Sequence, residues 1–270
     1  MLNVKSITIN MFNFIKISLK SLKQKDGEIK SSGRVNSLLF RLGLVLIFLA
    51  IIIGGFARIY GVFNYNQFRD DQSRDAFVYS QMLEGRWPTL GPGSSVGGYS
   101  LSPIYYYLNF VFSFGSLDPA WQAFPNSLFE FLVIPLLFYF VLLLLNGFKS
   151  GKSWFLAGLT SFWWSVFFND IIFSSMEWNP SSIPFFLLLF VIVTRLSILE
   201  TVPLLRAGDN PKSASNLKSI LLWSFTGLIT AILTGLHSTT LFTMPVVLGL
   251  ISLFVVWKVK LRAIPVLFSC

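Results

Sequence analysis

The residue types that build disulfides and most metal sites are almost missing from this sequence of 270 residues. The single cysteine is Cys270 at the last position, which excludes an internal disulfide framework and a cysteine-ligated metal site. The single histidine is His237, which excludes a zinc centre built on several histidines.

Charged residues are also scarce. They make up 12% of the chain, about half of the roughly 25% that is usual in a soluble domain. Hydrophobic residues make up 54%, and the mean hydropathy is +0.67. So few charges cannot cover a water-exposed surface, and the composition therefore predicts a lipid bilayer as the solvent.

Six apolar stretches are long enough to cross a bilayer core about 30 Å thick, which takes roughly 20 residues of helix. They predict an all-α polytopic transmembrane bundle with spans at about residues 37–60, 124–146, 153–174, 181–199, 219–236 and 239–257. A seventh stretch, "AIPVLFSC", begins at Ala263 and stops with the chain. We therefore assign 37–270 to a transmembrane domain of six spans and the start of a seventh, and we expect it to be part of a longer protein.

The distribution of lysine and arginine predicts the orientation of these spans. Of the 21 basic residues, 17 lie on one side of the predicted bundle, which the positive-inside rule identifies as cytoplasmic. The N-terminus is then cytoplasmic, with residues 1–36 forming a basic tail on the inner leaflet or a partner-binding helix. This topology explains the net charge of +9 without a nucleic-acid partner.

The connection at 61–123 lies on the opposite side and is much longer than the others. Long connections are uncommon unless they are functional, and eight of the twelve acidic residues lie on this side. We expect the connection to contain a helix over about 70–85, a flexible glycine-rich segment over 91–98, and an aromatic helix over 102–115 that lies in the membrane interface.

The first of these helices begins with a dense group of charges. Asp70 and Arg74 are four residues apart in the order that favours an ion pair. Asp71 and Asp75 are also four apart, so they share a helix face and repel each other, an effect that the helix N-terminus can offset. The group is either a helix start with a solvated charged face or part of a site.

Two later connections open on the same side of the membrane. "SSMEWNPSSIP" (174–184) contains Glu177 and Asn179, and "GLHSTTLFTMP" (235–245) contains His237. Each is explained either as an ordinary turn at the membrane edge or as part of a site assembled from successive outer connections.

The order of these motifs resembles a known group of membrane enzymes. An acidic pair opening an outer helix is followed by "GRWPTLGP", "SPIYYYL", "WNPSSIPFF" and "GLHSTTLFTMP". Over about residues 37–257 the chain resembles the N-terminal half of the GT-C superfamily of polytopic glycosyltransferases, in the bacterial branch related to protein O-mannosyltransferases and aminoarabinose transferases.

The resemblance implies transfer of a sugar from a polyprenyl-phosphate donor to an extracytoplasmic lipid, glycan or protein acceptor in the cell envelope, at the inner or plasma membrane. In that family an aspartate of the first outer loop is taken to activate the acceptor. Its acidic pair aligns with Asp71-Gln72 or with Asp70-Asp71, which leaves the base open between Asp70 and Asp71. We favour Asp71, with Asp75 as its neighbour.

The other expected roles concern substrate. Arg74 and Arg58 would neutralise the leaving phosphate, and a divalent metal ion held by Glu177 and His237 is an open alternative. The substrate-binding candidates are Arg74, Arg58, Glu177, Asn179, His237 and Tyr105. The competing hypotheses are a polytopic transporter, which would place ionisable groups near the middle of the membrane, and a non-catalytic membrane scaffold.

Overall fold

The computed structural model describes residues 31–94, 97–207 and 217–259, and over these ranges the protein is an all-α bundle without strands. The tail up to residue 30 and the predicted seventh span lie outside the described residues. The described ranges contain nine α-helices and one short 3₁₀ helix at Asn179–Ser182. The α-helices are α1 Ser31–Asn64, α2 Asp70–Leu83, α3 Ile104–Phe112, α4 Pro119–Leu144, α5 Gly151–Ser165, α6 Phe168–Ser174, α7 Ile183–Ala207, α8 Leu217–Leu236 and α9 Ser238–Val259.

Five of these segments are long and apolar enough to cross a membrane, and a sixth is if the bent pair α5 and α6 counts as one span. These segments match the six predicted stretches in order. The third differs in shape, because its helix breaks after Ser165 and the two halves meet at a bend of 57°. The surface of the bundle is typical of lipid-facing helices, with aromatic side chains such as Phe56 of α1, Trp163 of α5 and Phe168 of α6 more than 60% exposed.

Both short helices of the first connection form where the sequence predicts them. The predicted helix over 70–85 is α2 at Asp70–Leu83, and the aromatic helix is α3 at Ile104–Phe112. Residues 31–36 of the predicted tail form the start of α1.

The largest core cluster joins these two helices to the long ones. Tyr79 and Met82 of α2 and Tyr105 and Tyr106 of α3 pack with buried residues of α4, α7, α8 and α9. The first connection is therefore built into the bundle. The charged start of α2 is consequently held against the ends of several long helices.

Helices α1 and α5 cross closely through two glycines. A Cβ atom added to Gly158 would lie 2.5 Å from the carbonyl oxygen of Gly43, and one added to Gly43 would collide with the backbone of Trp154. Small residues of this kind let membrane helices approach until their backbones touch.

We expect Gly158→Ala to lower the free energy of unfolding by about 1–3 kcal/mol, because the added methyl group must push α1 and α5 apart. The matched control is Gly227→Ala in α8, where an added Cβ meets no atom within 4 Å. That control should be neutral or stabilising by up to about 1 kcal/mol, the difference in helix propensity. Thermal unfolding in detergent measures both, and equal effects of the two variants would contradict the close crossing.

Candidate functional site

The candidate site begins where the chain leaves α1 and turns into α2. The segment before α2 is extended and touches the turn after α6 through a single bridge between Gln67 and Met176. At the start of α2, the backbone N–H of Arg69 donates to Oε1 of Gln72 at 3.0 Å. Asp70 and Asp71 lie in the first turn, where the helix dipole and free N–H groups favour negative charge.

Arg74 joins two of the three aspartates. Its Nη1 donates to Oδ1 of Asp71 at 2.9 Å, and its Nη2 and Nε each lie 2.7 Å from Oδ1 of Asp75. The expected pair between Asp70 and Arg74 is therefore wrong, since the guanidinium turns toward Asp71 and Asp75. The expected repulsion between Asp71 and Asp75 is offset by the guanidinium that lies between them.

The two aspartates differ sharply in their access to solvent. The side chain of Asp71 is 61% exposed, that of Arg74 is 42% exposed, and that of Asp75 is only 3% exposed. Asp75 also accepts a hydrogen bond from the hydroxyl of Tyr106 at 3.2 Å. Asp71 is thus free to meet a substrate, whereas Asp75 faces the protein interior.

A second buried carboxyl group, that of Glu177, lies beneath α2. Its Oε1 accepts hydrogen bonds from the Tyr79 hydroxyl and, at 3.1 Å, from Nδ2 of Asn109. The side chain of Gln72 donates to its backbone carbonyl. These contacts fasten α2 and α3 to the turn between α6 and the 3₁₀ helix.

Burial controls the ionisation of this group of side chains. Burial raises the pKa of Asp75 to about 6, although the guanidinium of Arg74 opposes the shift. Burial is the main cause that raises the pKa of Glu177 to about 8, and the negative charge of Asp75 adds to the increase. Burial also raises the pKa values of the hydroxyls of Tyr79, Tyr105 and Tyr106, so these remain hydrogen-bond donors.

A cleft of about 460 Å³ opens beside the start of α2. One side of it is polar and charged and the other is apolar. The polar side consists of Arg69, Asp70, Asp71 and Gln72, and the apolar side consists of Phe173, Met176 and Trp178.

Asn126 of α4 shapes the apolar side. Its Nδ2 donates to the carbonyl oxygens of Met176 and Trp178 at 3.1 and 3.0 Å, and its Oδ1 accepts from Ser182 at 2.7 Å. The cleft therefore has one wall from the start of α2 and one from α6 and the third connection, residues 174–184, which is the arrangement that a site assembled from successive connections requires.

Most of the predicted site residues lie on these connections. Tyr105 is buried and interacts electrostatically with Glu177 and Asp75. Asn179 donates to the backbone carbonyl of Leu236, which ties the third connection to the last residue of α8. The neighbouring His237 turns its Nδ1 to the backbone N–H of Thr239 at 3.2 Å, at the start of α9.

Arg58 lies in a different environment from the other predicted residues. It is completely buried in the C-terminal half of α1, where it forms an ion pair with Asp170 and donates to the carbonyl oxygens of Ser165 and Trp164. Its guanidinium therefore binds groups at the bend between α5 and α6.

A metal site is not apparent in the part of the chain that the structure describes. Within residues 31–94, 97–207 and 217–259, no group of three or more His, Cys, Asp or Glu side chains could hold a metal ion. Glu177 binds Tyr79 and Asn109, and His237 binds Thr239, so the two candidates are each engaged elsewhere.

Sequence reasoning missed Arg69, Gln72, Tyr79, Tyr106 and Asn109. A signal for Tyr79 existed, because Gln72, Asp75, Tyr79 and Met82 repeat at helical spacing and form the buried face of α2. A polar residue on such a face needs a partner from another element.

Comparison of the chain with models of protein families, with curated protein sequences and with solved structures gives no match. The function therefore has to be inferred from the chemistry of the cleft.

Proposed function

We propose that the protein is a membrane glycosyltransferase that moves a sugar from a polyprenyl-phosphate donor to an acceptor hydroxyl. The cleft carries this proposal. It sets two carboxylates and an arginine opposite a wall of Phe173, Met176 and Trp178. A sugar joined through phosphate to a lipid needs a polar, a charged and an apolar contact in one place, and this cleft offers all three.

In the proposed reaction, Asp71 takes the proton of the acceptor hydroxyl as its oxygen attacks the anomeric carbon of the donor. The bond between that carbon and the phosphate oxygen breaks, and polyprenyl phosphate leaves with the electron pair. The anomeric centre is inverted in this single displacement. Asp71 suits the base role because it lines the cleft and is 61% exposed.

The leaving phosphate needs positive charge close to the breaking bond. Arg69 lines the cleft and is therefore the first candidate for this contact. Arg74 is the second, since its side chain is 42% exposed beside Asp71. We assign the phosphate contact to these two residues and no longer to Arg58, because the guanidinium of Arg58 is fully buried against Asp170.

The proposal includes an orientation. We infer that the N-terminus is cytoplasmic and that the cleft opens on the extracytoplasmic face of the cell membrane. The basis is the predominance of lysine and arginine on the opposite side of the bundle.

A transfer assay tests the proposal. Membranes containing the full gene product are incubated with radiolabelled polyprenyl-phosphate sugars, and labelled glycan on endogenous acceptors is measured. We expect incorporation above that of membranes without the protein, and competition by unlabelled polyprenyl phosphate. Absence of transfer from every lipid-linked donor would contradict the proposal.

A proton-coupled transporter is the second candidate, and one observation favours it. The span formed by α5 and α6 is broken, and the break lies beside the buried pair of Arg58 and Asp170. Transporters often use interrupted helices and ionisable residues within the membrane. Substrate uptake into vesicles that depends on a pH gradient, without sugar transfer, would support this alternative.

A further inference from the structure

We propose that Asp75 and Glu177 form a buried carboxyl pair that positions Arg74 against the cleft residue Asp71, and that Glu177 carries a proton when it does so. The inference rests on the proposed function, because it assigns two positioning residues to the same site. Neither carboxyl group lines the cleft, so neither is placed in contact with substrate.

The position of Arg74 depends on Asp75. Two guanidinium nitrogens lie 2.7 Å from one oxygen of Asp75, and a third donates to Asp71 at 2.9 Å. The tight, buried contact is the one to Asp75, and the exposed contact is the one to Asp71. Asp75 therefore anchors the guanidinium, and Asp71 receives the remaining donor.

The surroundings of Glu177 favour a neutral carboxyl group. The side chain is 2% exposed, and the ion pairs of the described residues do not include it. An ionised carboxylate that is buried without an adjacent cation is costly. Since Oε1 already accepts from Tyr79 and Asn109, the proton belongs on Oε2, which is buried without a hydrogen-bond partner.

The groups around Glu177 come from two helices. From α2 it faces Asp75, the more distant charge of Arg74, and the hydroxyl of Tyr79. From α3 it faces Tyr105 and the amide of Asn109. The only cation of this set is Arg74, which Asp75 and Asp71 already share.

A second ionised carboxylate would disturb this arrangement. Glu177 has a pKa of about 8 in the folded protein, so it is mainly protonated at pH 7, whereas Asp75 with a pKa of about 6 is mainly ionised. Above pH 8 the new negative charge competes for Arg74 and draws it away from Asp71. Both carboxyl groups have a higher pKa in the folded protein than in the unfolded chain, so their neutral forms stabilise the folded protein. This stabilisation is complete below about pH 4 and is lost as the pH rises through 6 for Asp75 and then through 8 for Glu177.

The test combines a direct readout of the proton with a rate measurement, using the full gene product. The infrared difference spectrum of wild type and Glu177→Gln at pH 7 should show one protonated-carboxyl C=O band that the variant has lost, because the subtraction cancels the bands of other buried carboxyl groups such as Glu130. The matched control is Glu84→Gln on the same connection, an exposed glutamate paired with Arg86, which should keep the band. In the wild type the Glu177 band should titrate away between about pH 7 and pH 9.

In the transfer assay, the wild-type rate should fall by up to about tenfold per pH unit above pH 8. The ratio of rates at pH 9 and pH 7 should stay near one for Glu177→Gln, while Glu84→Gln should follow the wild type. A pH 7 difference spectrum in which Glu177→Gln has lost no protonated-carboxyl band, or equal rate ratios in wild type and Glu177→Gln, would overturn the inference. If no donor supports transfer, the proposed function fails, and the infrared titration alone still decides whether Glu177 holds the proton.

Discussion

Membranes containing Asp71→Asn are expected to transfer sugar about 10²- to 10⁴-fold more slowly than wild-type membranes, the range usual for loss of a general base. Asparagine keeps the size of the side chain but cannot accept the acceptor proton. It also leaves the pairing of Arg74 with Asp75 in place, because Nη2 and Nε both reach that buried carboxylate. The cleft should therefore keep its shape while the chemical step is lost.

Initial rates at equal expression, with saturating polyprenyl-phosphate donor, measure this effect. The matched control is Asp118→Asn, an exposed aspartate on the same connection whose Oδ1 caps α4 by accepting from the N–H of Ala120 at 2.8 Å. Asparagine caps helices as well as aspartate does, so this control should transfer at the wild-type rate. Unchanged transfer in Asp71→Asn would move the base to Asp70, which lines the same cleft.

The sequence was sufficient to predict the elements that depend on local pattern. The six apolar stretches, the acidic start of α2 at Asp70 and the aromatic helix α3 all follow from composition and spacing. Asp70 and Asp71, the residues favoured for catalysis, do line the cleft. The predictions of these helices succeeded because each rests on residues that are neighbours in the chain, whereas the catalytic role of Asp70 or Asp71 stays a prediction.

The features that escaped prediction depend on contacts between distant residues. The hydrogen bond from Tyr79 to Glu177 joins positions 98 apart, and the hydrogen bond from Asn126 to the carbonyl oxygen of Trp178 joins positions 52 apart. The sequence did not indicate Arg69 as a residue that could bind the phosphate. Arg69 lines a cleft only because the third connection, which is distant in sequence, packs near it. Periodicity reports which face of a helix is buried, but it does not report what lies opposite.

The bend in the third span has the same origin. No proline or glycine occurs where α5 ends, at Ser165 and Val166, so the local sequence favours a continuous helix. At the break, the carbonyl oxygens of Trp164 and Ser165 both accept from Arg58, more than one hundred residues earlier, and that of Trp164 also accepts from the backbone N–H of Phe167. A backbone carbonyl inside a membrane costs several kcal/mol if it has no hydrogen-bond donor. The hydrogen bond from Arg58 to the carbonyl oxygen of Ser165 therefore stabilises the bend.

Arg58→Met is therefore expected to lower the free energy of unfolding by about 3–5 kcal/mol, the usual cost of removing one partner of a buried ion pair. Methionine fills a similar volume but leaves Asp170 without its cation and the carbonyl oxygen of Ser165 without the guanidinium donor. Asp170 keeps its hydrogen bond with Glu130. The matched control is Arg41→Met, an exposed arginine on the same helix, which should change stability by less than about 0.5 kcal/mol.

The reason for the loss can be separated from simple cavity formation by a double variant. If an uncompensated charge dominates, Arg58→Met combined with Asp170→Asn should be more stable than Arg58→Met alone, because the second change removes the orphaned carboxylate. Thermal unfolding in detergent provides the comparison. Purely additive losses in the double variant would mean that the guanidinium acts mainly through the carbonyls of Trp164 and Ser165. The bend would then be held by hydrogen bonding rather than by charge.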